Sequence, residues 1–293
     1  MSSRLVDAAY GLGWAVTRRV PEPVAQGAFA RLADQIWRRR GTGVRRLQAN
    51  LRRASPDAGD AEVDDLTRAA MRSYLRYWCE TFRLPVWSRE QVLERIVVHD
   101  EHLLRETHAR GRGVVVPLPH LANWDLAGAW ACLTGMPLTT VAERLEPERL
   151  FRRFVAYRES LGMEVLPLTG GDGSPVRTLV DRARAGRLVC LVADRDLSAS
   201  GVEVDLLGHR ARLPAGPAMV ARTTGAPLVP ATLAYEGPRL HITFHEPVPP
   251  QPGAGGVRAM TQAVADAFTT GIRANPQDWH MLQKVFVDDL DVR

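Results

Sequence analysis

The 293-residue chain lacks a cysteine pattern that could hold a metal or a disulfide framework. Its three cysteines, Cys79, Cys132 and Cys190, are isolated in apolar surroundings, and there is no Cys-x-x-Cys or cysteine–histidine cluster. A structural metal and a disulfide framework are therefore not expected, and a reducing cytosolic setting fits best.

Several catalytic signatures are also missing. No G-x-x-x-x-G-K-[ST] phosphate loop occurs, and no G-x-G-x-x-G follows an apolar strand, so we expect no cofactor. The stretch from Gly171 to Pro175 does not match the G-x-S-x-G nucleophile elbow. With neither a covalent nucleophile nor a metal expected, direct attack by a substrate hydroxyl is the simplest group-transfer scheme.

A long hydrophobic run is absent from the N-terminal region. The apolar stretch from Leu5 to Val16 is short and is interrupted by Asp7 and Gly13. A membrane-spanning helix needs about 20 predominantly apolar residues, and the stretch also lacks the small-residue cleavage site of a signal peptide. We therefore expect neither a transmembrane anchor nor a signal peptide here.

Lysine is nearly absent, and the positive charge comes from arginine. The net charge is +5, yet residues 1–53 contain eleven arginines against three acidic residues, so the other 240 residues carry a net charge of −3. This asymmetry indicates a basic segment that meets anionic lipid or nucleic acid. A nucleic-acid-binding protein would also contain a recognisable reading module; none is visible, so nucleic acid is not an expected partner.

The basic segment contains an apolar stripe at helical spacing after Pro23. Its members are Val24, Ala28, Phe29, Leu32, Ala33, Ile36 and Trp37. One interpretation is a monotopic segment that lies on anionic membrane with its arginines on headgroups. The other is a helix that packs against the core and exposes a charged face. We assign residues 1–54 to basic amphipathic membrane-associating helices and residues 55–293 to an α/β domain.

Apolar runs and helical patterns alternate through the rest of the chain, which is typical of βαβ units. Predicted strands cover residues 96–98, 114–116, 138–142, 164–166, 188–193, 228–234 and 240–244, with an inserted hairpin at 202–206 and 210–213. Predicted helices include residues 60–82, 101–109, 147–161, 257–273 and 279–286. The sequence therefore predicts a single α/β domain with a mainly parallel central sheet flanked by helices.

The stretch from Gly113 to Trp130 carries the strongest candidate for chemistry. An apolar strand ends at two prolines, His120 follows at once, and Asn123 and Asp125 occupy the first turn of the next helix. Ligands commonly bind at the carboxyl ends of strands in open α/β sheets. A turn can bring the Asp125 carboxylate onto the His120 ring, where it would fix the tautomer of a general base.

The segment His120-Leu-Ala-Asn-Trp-Asp125 has the HxxxxD spacing, and it resembles the motif of the glycerolipid-type acyltransferases. The surrounding sequence, over about residues 60–286, resembles the lipid A biosynthesis acyltransferase branch. Four stretches are most similar to the actinobacterial phosphatidylinositol mannoside acyltransferases: YLRYWCETFRLP, LPHLANWDLAGAW, ADRDLSASGVEVDLLG and RLPAGPA. The resemblance implies a glycerolipid acyltransferase-like fold.

The resemblance also implies an activity and partners. It implies transfer of a fatty acyl chain, typically palmitoyl, from acyl-CoA to the 6-hydroxyl of the mannose on the inositol 2-position of phosphatidylinositol mannosides. His120 and Asp125 would be catalytic, and acyl-CoA would be a co-substrate rather than a cofactor. Together with the basic N-terminal segment, this implies a peripheral (monotopic) protein on the anionic, cytoplasmic face of the cell membrane.

Family positions suggest further site residues. Glu143, just past a strand, would contact the mannose, and Arg158, on the next helix, would meet a phosphate; the alternatives are a surface acid and a helix salt bridge. Asp194 and Arg195 end another strand and are expected near His120 from sheet topology, with Glu203 as a substitute if the hairpin folds over the site. Two alternatives remain: another glycolipid or lysophospholipid acyltransferase of the lipid A type, and a non-catalytic membrane-bound protein with the same fold.

Overall fold

A computed structural model describes residues 13–14, 16–144, 147–169, 175–196, 201–253 and 255–290. The helices are α1 (Glu22–Arg38), α2 (Thr42–Ala54), α3 (Asp60–Arg83), α4 (Arg89–Glu94), α5 (Glu101–Ala109), α6 (Trp124–Leu133), α7 (Glu148–Ser160), α8 (Pro175–Arg184), α9 (Gly216–Thr224), α10 (Gly256–Ala274) and α11 (Val287–Leu290). The strands are β1 (Ile96–His99), β2 (Val114–Leu118), β3 (Leu138–Ala142), β4 (Glu164–Pro167), β5 (Leu188–Val192), β6 (Val202–Leu206), β7 (His209–Leu213), β8 (Ala231–Glu236) and β9 (Arg239–Phe244).

The central sheet is mainly parallel, as the alternating sequence pattern predicts. One group of strands runs in the order β1-β9-β8 and a second in the order β2-β5-β3-β4. A parallel bridge between Val115 and Leu228 joins the two groups. Only the β8–β9 pairing within them is antiparallel. The predicted α/β class with a parallel sheet flanked by helices is therefore confirmed.

The middle of the sheet is fully buried because its strands are nearly continuous apolar runs. All five residues of β2 are buried, and β5 pairs with it in register from Val114–Leu188 to Leu118–Val192. Gly113 precedes β2 at φ +67°, where an added Cβ would lie 2.2 Å from the Ala183 carbonyl oxygen. Only glycine fits this left-handed position against the backbone. The start of β2 is thereby fixed beside α8.

The predicted hairpin forms as β6 and β7. Val202 pairs with Leu213 and Leu206 with His209 in antiparallel register. The hairpin is held to α10, because the backbone N–H of Asp205 donates to Gln262 and that of Leu207 to Thr269. It is thus anchored beside the last long helix.

Helices α1 to α3 pack together around a small apolar core. Ala33 of α1, Leu47 and Leu51 of α2, and Met71 of α3 are buried in it. Phe29, Ile36 and Trp37 of the predicted stripe are partly buried against the same or the main core. Protein therefore covers Phe29, Ala33, Ile36 and Trp37 of that stripe, whereas Ala28 is exposed and Val24 and Leu32 are 59% and 43% exposed.

The predicted helix over residues 279–286 is wrong. A 3₁₀ turn spans Pro276–Asp278, and residues 279–286 then form an irregular segment before α11. Trp279 forms an antiparallel bridge with Leu121, and Phe286 forms one with Ala211. Both aromatic side chains are fully buried. Long-range backbone pairing and burial of these rings outweigh the local helical pattern.

Within the described ranges, which begin at residue 13, we find no helix with both the length and the apolar character needed to cross a bilayer. Most of the Leu5–Val16 stretch lies outside those ranges. Trp14 is buried, with its ring centroid 5.2 Å from that of Phe82 and 5.7 Å from that of Phe154. The first described residues therefore pack against α3 and α7.

Candidate active site

The turn after β2 presents His120 at the carboxyl edge of the sheet. Ala122 adopts φ +46°, in the left-handed region, and its N–H donates to the Asp278 carbonyl oxygen at 2.9 Å. Asn123 caps α6 by accepting a hydrogen bond from the Leu126 N–H. The His120 carbonyl oxygen accepts from the His280 N–H at 2.8 Å. The histidine thus sits in a turn that the C-terminal segment holds on one side.

The carboxylate that contacts the His120 ring is Asp194. Its Oδ1 lies 2.5 Å from His120 Nδ1, and its Oδ2 accepts the His120 backbone N–H at 2.9 Å. The register of the sheet explains this contact. Leu118 pairs with Val192, and His120 and Asp194 each lie two positions after these partners. The proximity of Asp194 to His120 that sheet topology predicts is therefore confirmed.

Asp194 is held as a buried carboxylate. Its side chain is 0% exposed, and Trp279 Nε1–H donates to its Oδ2 at 2.9 Å. Burial alone would raise the pKa of Asp194, but the His120 ring, Trp279 and the backbone N–H together lower it below its ordinary value. An ionised Asp194 accepts a hydrogen bond from Nδ1–H of His120. The lone pair of the neutral ring is therefore on Nε2. The His120 side chain is 31% exposed.

The predicted contact between Asp125 and the His120 ring is wrong. Asp125 lies on the first turn of α6, is 2% exposed, and accepts hydrogen bonds from Arg158 Nε at 2.7 Å and from the Tyr77 hydroxyl at 3.0 Å. The helix turns this carboxylate inward toward α3 and α7, so the imidazole takes its partner from the end of β5 instead. Asp125 therefore joins three helices beneath the site.

Arg158 is committed to the same buried ion pair. Burial would lower the pKa of Arg158, but the Asp125 carboxylate raises it above its ordinary value. Its side chain is 17% exposed and also lines the cleft in front of His120. The contact with a substrate phosphate stays a prediction; the contact in the structure is with Asp125.

Glu143 and Arg195 form a pair at the rim of the cleft. Arg195 Nη2 lies 3.3 Å from Glu143 Oε2, and the two side chains are 18% and 56% exposed. Both residues line the cleft that contains His120. Glu203, by contrast, pairs with Arg210 within the hairpin at 2.7 Å and does not line that cleft. The hairpin therefore does not bring Glu203 to His120.

Two neighbours of His120, Trp279 and His280, are not predicted from the sequence as site residues. Trp279 fixes Asp194, as described above. His280 lines the cleft, its Nε2 lies 2.9 Å from the Ser73 hydroxyl, and its buried Nδ1 has no protein partner among the described residues. Burial lowers the pKa of His280 to about 3, and the nearby His120 acts in the same direction. Both lie in the C-terminal stretch of residues 275–286, far from His120 in the sequence.

The cleft in front of His120 continues into an apolar cavity between α6 and the sheet. Trp124, Val141, Arg158 and Val192 line both spaces. Five strands contribute to the cavity wall, listed in their spatial order: β9 (Ile242, Phe244), β8 (Ala231, Leu233), β2 (Val116, Leu118), β5 (Cys190, Val192) and β3 (Leu138, Thr140). The site thus combines a polar cleft with an adjoining apolar cavity.

The cysteines and metal-binding groups near the site are also informative. Burial raises the pKa of Cys190, which lines the apolar cavity, to about 12. A thiol with such a pKa is not a thiolate nucleophile at neutral pH. Among the residues that the structure describes, no cluster of three or more histidines, cysteines and acids could hold a metal ion.

Known proteins are similar to this chain over nearly its whole length. The family model described as bacterial lipid A biosynthesis acyltransferase matches residues 1–287. A Mycolicibacterium smegmatis protein named phosphatidylinositol mannoside acyltransferase is 45% identical over 291 residues, which are 99% of this chain and 94% of that protein. A Mycobacterium tuberculosis protein of the same name is 44% identical over 295 residues, covering 97% and 89% of the two chains.

Among solved structures, the Thermotoga maritima 1-acyl-sn-glycerophosphate (LPA) acyltransferase PlsC also aligns. The alignment covers 70% of this chain and 86% of that chain at 15% identity, with a TM-score of 0.37. A similarity this low supports no conclusion about function. The near-complete family match and the relatives at 44–45% identity do, and they show that this chain is an acyltransferase belonging to the bacterial lipid A biosynthesis acyltransferase family.

Proposed function

We propose that the protein transfers a fatty acyl chain, palmitoyl in the first instance, from acyl-CoA to a phosphatidylinositol mannoside. The acceptor group is the 6-hydroxyl of the mannose on the inositol 2-position, and no acyl-enzyme forms. The observation that carries the proposal is His120, fixed by buried Asp194 at the junction of a polar cleft and an apolar cavity. The names of the relatives suggest the acceptor.

The transfer needs one base and one orienting carboxylate. His120 Nε2 takes the proton of the mannose hydroxyl as its oxygen attacks the thioester carbonyl carbon. The C–O bond forms, the C–S bond breaks, and the imidazolium returns the proton to the leaving thiolate. Asp194 is within hydrogen-bonding distance of Nδ1 throughout and stabilises the imidazolium. Because a thiolate is a competent leaving group, no covalent intermediate on the protein is required.

The apolar cavity is the proposed site of the acyl chain. Its wall crosses the sheet from β3 to β9, which is four strand spacings, or about 19 Å. His120 follows β2, the middle one of these five strands, so an acyl chain would enter near the centre of this width. Burying the chain against this wall supplies hydrophobic free energy of about 0.8 kcal/mol per methylene.

The cleft is the proposed site of the thioester and the sugar. Glu143 and Arg195 at its rim, together with His280, offer acceptors and donors for mannose hydroxyls or for phosphate. Asp125 has a supporting role in this scheme, because it positions Arg158 and α6 beneath the reacting groups. This assignment replaces the predicted pairing of Asp125 with His120.

An acceptor screen tests the proposal. The purified protein and labelled palmitoyl-CoA would be incubated with phosphatidylinositol mannoside, lysophospholipid or a lipid A-type glycolipid, and the product regiochemistry would be determined. We expect label on the mannose 6-hydroxyl of the mannoside alone. Faster transfer to lysophospholipid would assign the related acyltransferase activity. No transfer to any acceptor would favour a non-catalytic member of the fold.

We further propose that the protein works as a peripheral protein on the anionic, cytoplasmic face of the cell membrane. Exposed Val24 and Leu32 of α1 lie on the same helix as exposed Arg31 and Arg38, an arrangement suited to headgroups and shallow insertion. Arg40 is a weaker candidate because it is paired with Asp64.

Flotation with liposomes tests this membrane proposal. Replacing Arg38 and Arg39 by glutamine should reduce binding to vesicles that contain anionic lipid, because each arginine near such a surface contributes about 1 kcal/mol. Replacing the exposed Arg110 and Arg112 is the matched control and should leave flotation unchanged. Equal flotation of the two double variants would contradict the assignment of α1 to the membrane.

A further inference from the structure

A buried asparagine lies within α2, one of the helices of the basic N-terminal segment. Asn50 is 1% exposed, and its side-chain NH₂ group donates to the Met281 carbonyl oxygen at 2.8 Å and to the Gln283 carbonyl oxygen at 2.9 Å. Asparagine is a poor residue for a helix interior, and a buried polar side chain needs hydrogen-bond partners. The two carbonyl groups, more than 230 residues later in the chain, are the partners that this side chain requires.

The backbone that Asn50 holds forms one wall of the cleft in front of His120. Met281, Leu282 and Gln283 all line this cleft, and the Gln283 side chain is exposed. The wall belongs to neither a helix nor a strand. Because no regular backbone hydrogen-bond pattern fixes such a wall, its position depends on contacts from neighbouring elements.

Further contacts attach the same C-terminal segment to α2. Leu282 packs against the small apolar core of α1 to α3, and a Cβ atom added at Gly43 would lie 3.4 Å from Leu282 Cδ2. Arg53 donates to both carboxylate oxygens of Asp289, at 2.8 and 3.1 Å, and its guanidinium carbon lies 4.5 Å from the Phe286 ring centroid. Helix α2 therefore supports the segment at several points.

The other end of the segment is attached to the catalytic pair. The His280 N–H donates to the His120 carbonyl oxygen, and Trp279 Nε1–H donates to Asp194. The segment thus connects the base and its carboxylate to α2. Loss of the bonds made by Asn50 would release the cleft wall, while the bonds at Trp279 and His280 would still hold the base.

We propose that Asn50 is a positioning residue for the acceptor, because it fixes the Met281–Gln283 wall of the cleft. Helix α2 is then part of the acceptor site in addition to its role at the membrane. The proposal rests on the proposed function, because it takes the acceptor sugar to bind in this cleft. When the wall is released in a fraction of the molecules, the apparent affinity for the acceptor falls by that fraction.

Acceptor kinetics of two Asn50 variants test the proposal. Asn50→Leu removes both N–H donors and keeps a branched side chain, and Asn50→Asp replaces the NH₂ group by an oxygen. Losing the two hydrogen bonds should raise the KM for detergent-dispersed phosphatidylinositol mannoside by about 5–30-fold. The kcat and the KM for palmitoyl-CoA should stay at their wild-type values, because only acceptor binding is weakened.

Val63→Ala is the matched control. Val63 of α3 is fully buried and does not line the cleft, so this variant should lower the unfolding midpoint without changing the acceptor KM. Liposome flotation of Asn50→Leu should equal that of wild type, because the exposed arginines are unchanged. An acceptor KM in both Asn50 variants equal to that of Val63→Ala would overturn the proposal, as would a fall in kcat alone.

A second position tests the proposal if the Asn50 variants do not fold. Gly43 is half-buried, and Gly43→Leu would press against Leu282 from the same helix without removing a buried hydrogen bond. This displacement should also raise the acceptor KM and leave kcat unchanged. A wild-type acceptor KM in Gly43→Leu would then overturn the proposal.

Hydrogen exchange separates this proposal from the proposed function. If wild type transfers label to no acceptor, the proposed function fails, and amide exchange of residues 281–286, followed by mass spectrometry, is then the readout. Exchange there should be faster in Asn50→Leu than in wild type and Val63→Ala. Equal exchange in all three proteins would overturn the positioning role of Asn50, even when transfer to the mannoside is normal.

Discussion

Replacing Asp194 by asparagine should abolish the general-base function of His120, while the protein should still fold. Asp194 Oδ2 accepts two N–H groups, from the His120 backbone and from Trp279 Nε1, so the amide oxygen of asparagine must take that position. The amide NH₂ then occupies the Oδ1 position and donates to His120 Nδ1. Because Nδ1 now accepts, the ring proton moves to Nε2, and the nitrogen that faces the cleft has no lone pair.

The size of the effect follows from the role that is lost. Positioned general-base catalysis contributes about 10²–10⁴-fold, so kcat for acyl transfer should fall by that factor. The lost charge-assisted bond should lower the unfolding free energy by about 1–3 kcal/mol, because the other two hydrogen bonds to the side chain survive. Steady-state kinetics and thermal unfolding of the same preparation measure both. A kcat within threefold of wild type would refute the assignment of Asp194 to the His120 ring.

Three further outcomes follow from the same contacts. Asp125→Asn should lower the unfolding free energy by about 3–5 kcal/mol, because it leaves Arg158 buried without its counter-ion; denaturant titration measures this, and an unchanged midpoint would contradict it. His280→Gln should reduce the loss of stability in acid. The folded pKa of His280 is about 3 and its unfolded value is 6.5. Because of this residue, the unfolding free energy of the wild type falls by about 1.4 kcal/mol per pH unit below pH 6.5. Unfolding free energies of both proteins measured from pH 7 to 4.5 should therefore diverge by this amount. Trp279→Phe should cost about 1–3 kcal/mol through the lost hydrogen bond to Asp194; equal unfolding midpoints would count against that bond.

The fold was largely predictable because the local sequence pattern shows the alternation of buried strands and helices. Strand Leu138–Ala142 and helix Glu101–Ala109 have the predicted bounds, since apolar runs and terminal glycines mark their ends. The helix predicted over residues 279–286 is wrong for the opposite reason. The path of these residues is set by the bridges to Leu121 and Ala211, more than seventy residues earlier in the chain, and no local sequence pattern shows such a pairing.

The site was only partly predictable for a related reason. The HxxxxD spacing places His120 at the end of β2, but it does not say which carboxylate reaches the ring. The register between β2 and β5 decides that, and it brings in Asp194 from 74 residues away. Asp125 remains close in sequence while its side chain turns toward Arg158 and Tyr77.

The N-terminal stripe illustrates the limit of periodicity. Helical spacing predicts an amphipathic helix, and Glu22–Arg38 is one. Whether protein or lipid covers the apolar face depends on what packs against it, and here α2 and α3 cover Ala33 while Val24 and Leu32 stay exposed. Helices α1 and α2 share a core with α3. The predicted boundary at residue 54 therefore stays a prediction about which residues associate with the membrane.

The most direct measurement of the central claim is transfer of labelled palmitoyl from its CoA thioester to phosphatidylinositol mannoside by wild type and by His120→Ala. His102→Ala, at an exposed histidine of α5, is the matched control. Wild type and the control should transfer label at equal rates, with none retained on the protein. His120→Ala should be folded but inactive. Undiminished transfer by His120→Ala, or label that stays covalently bound to wild type and is chased to the acceptor, would contradict the account.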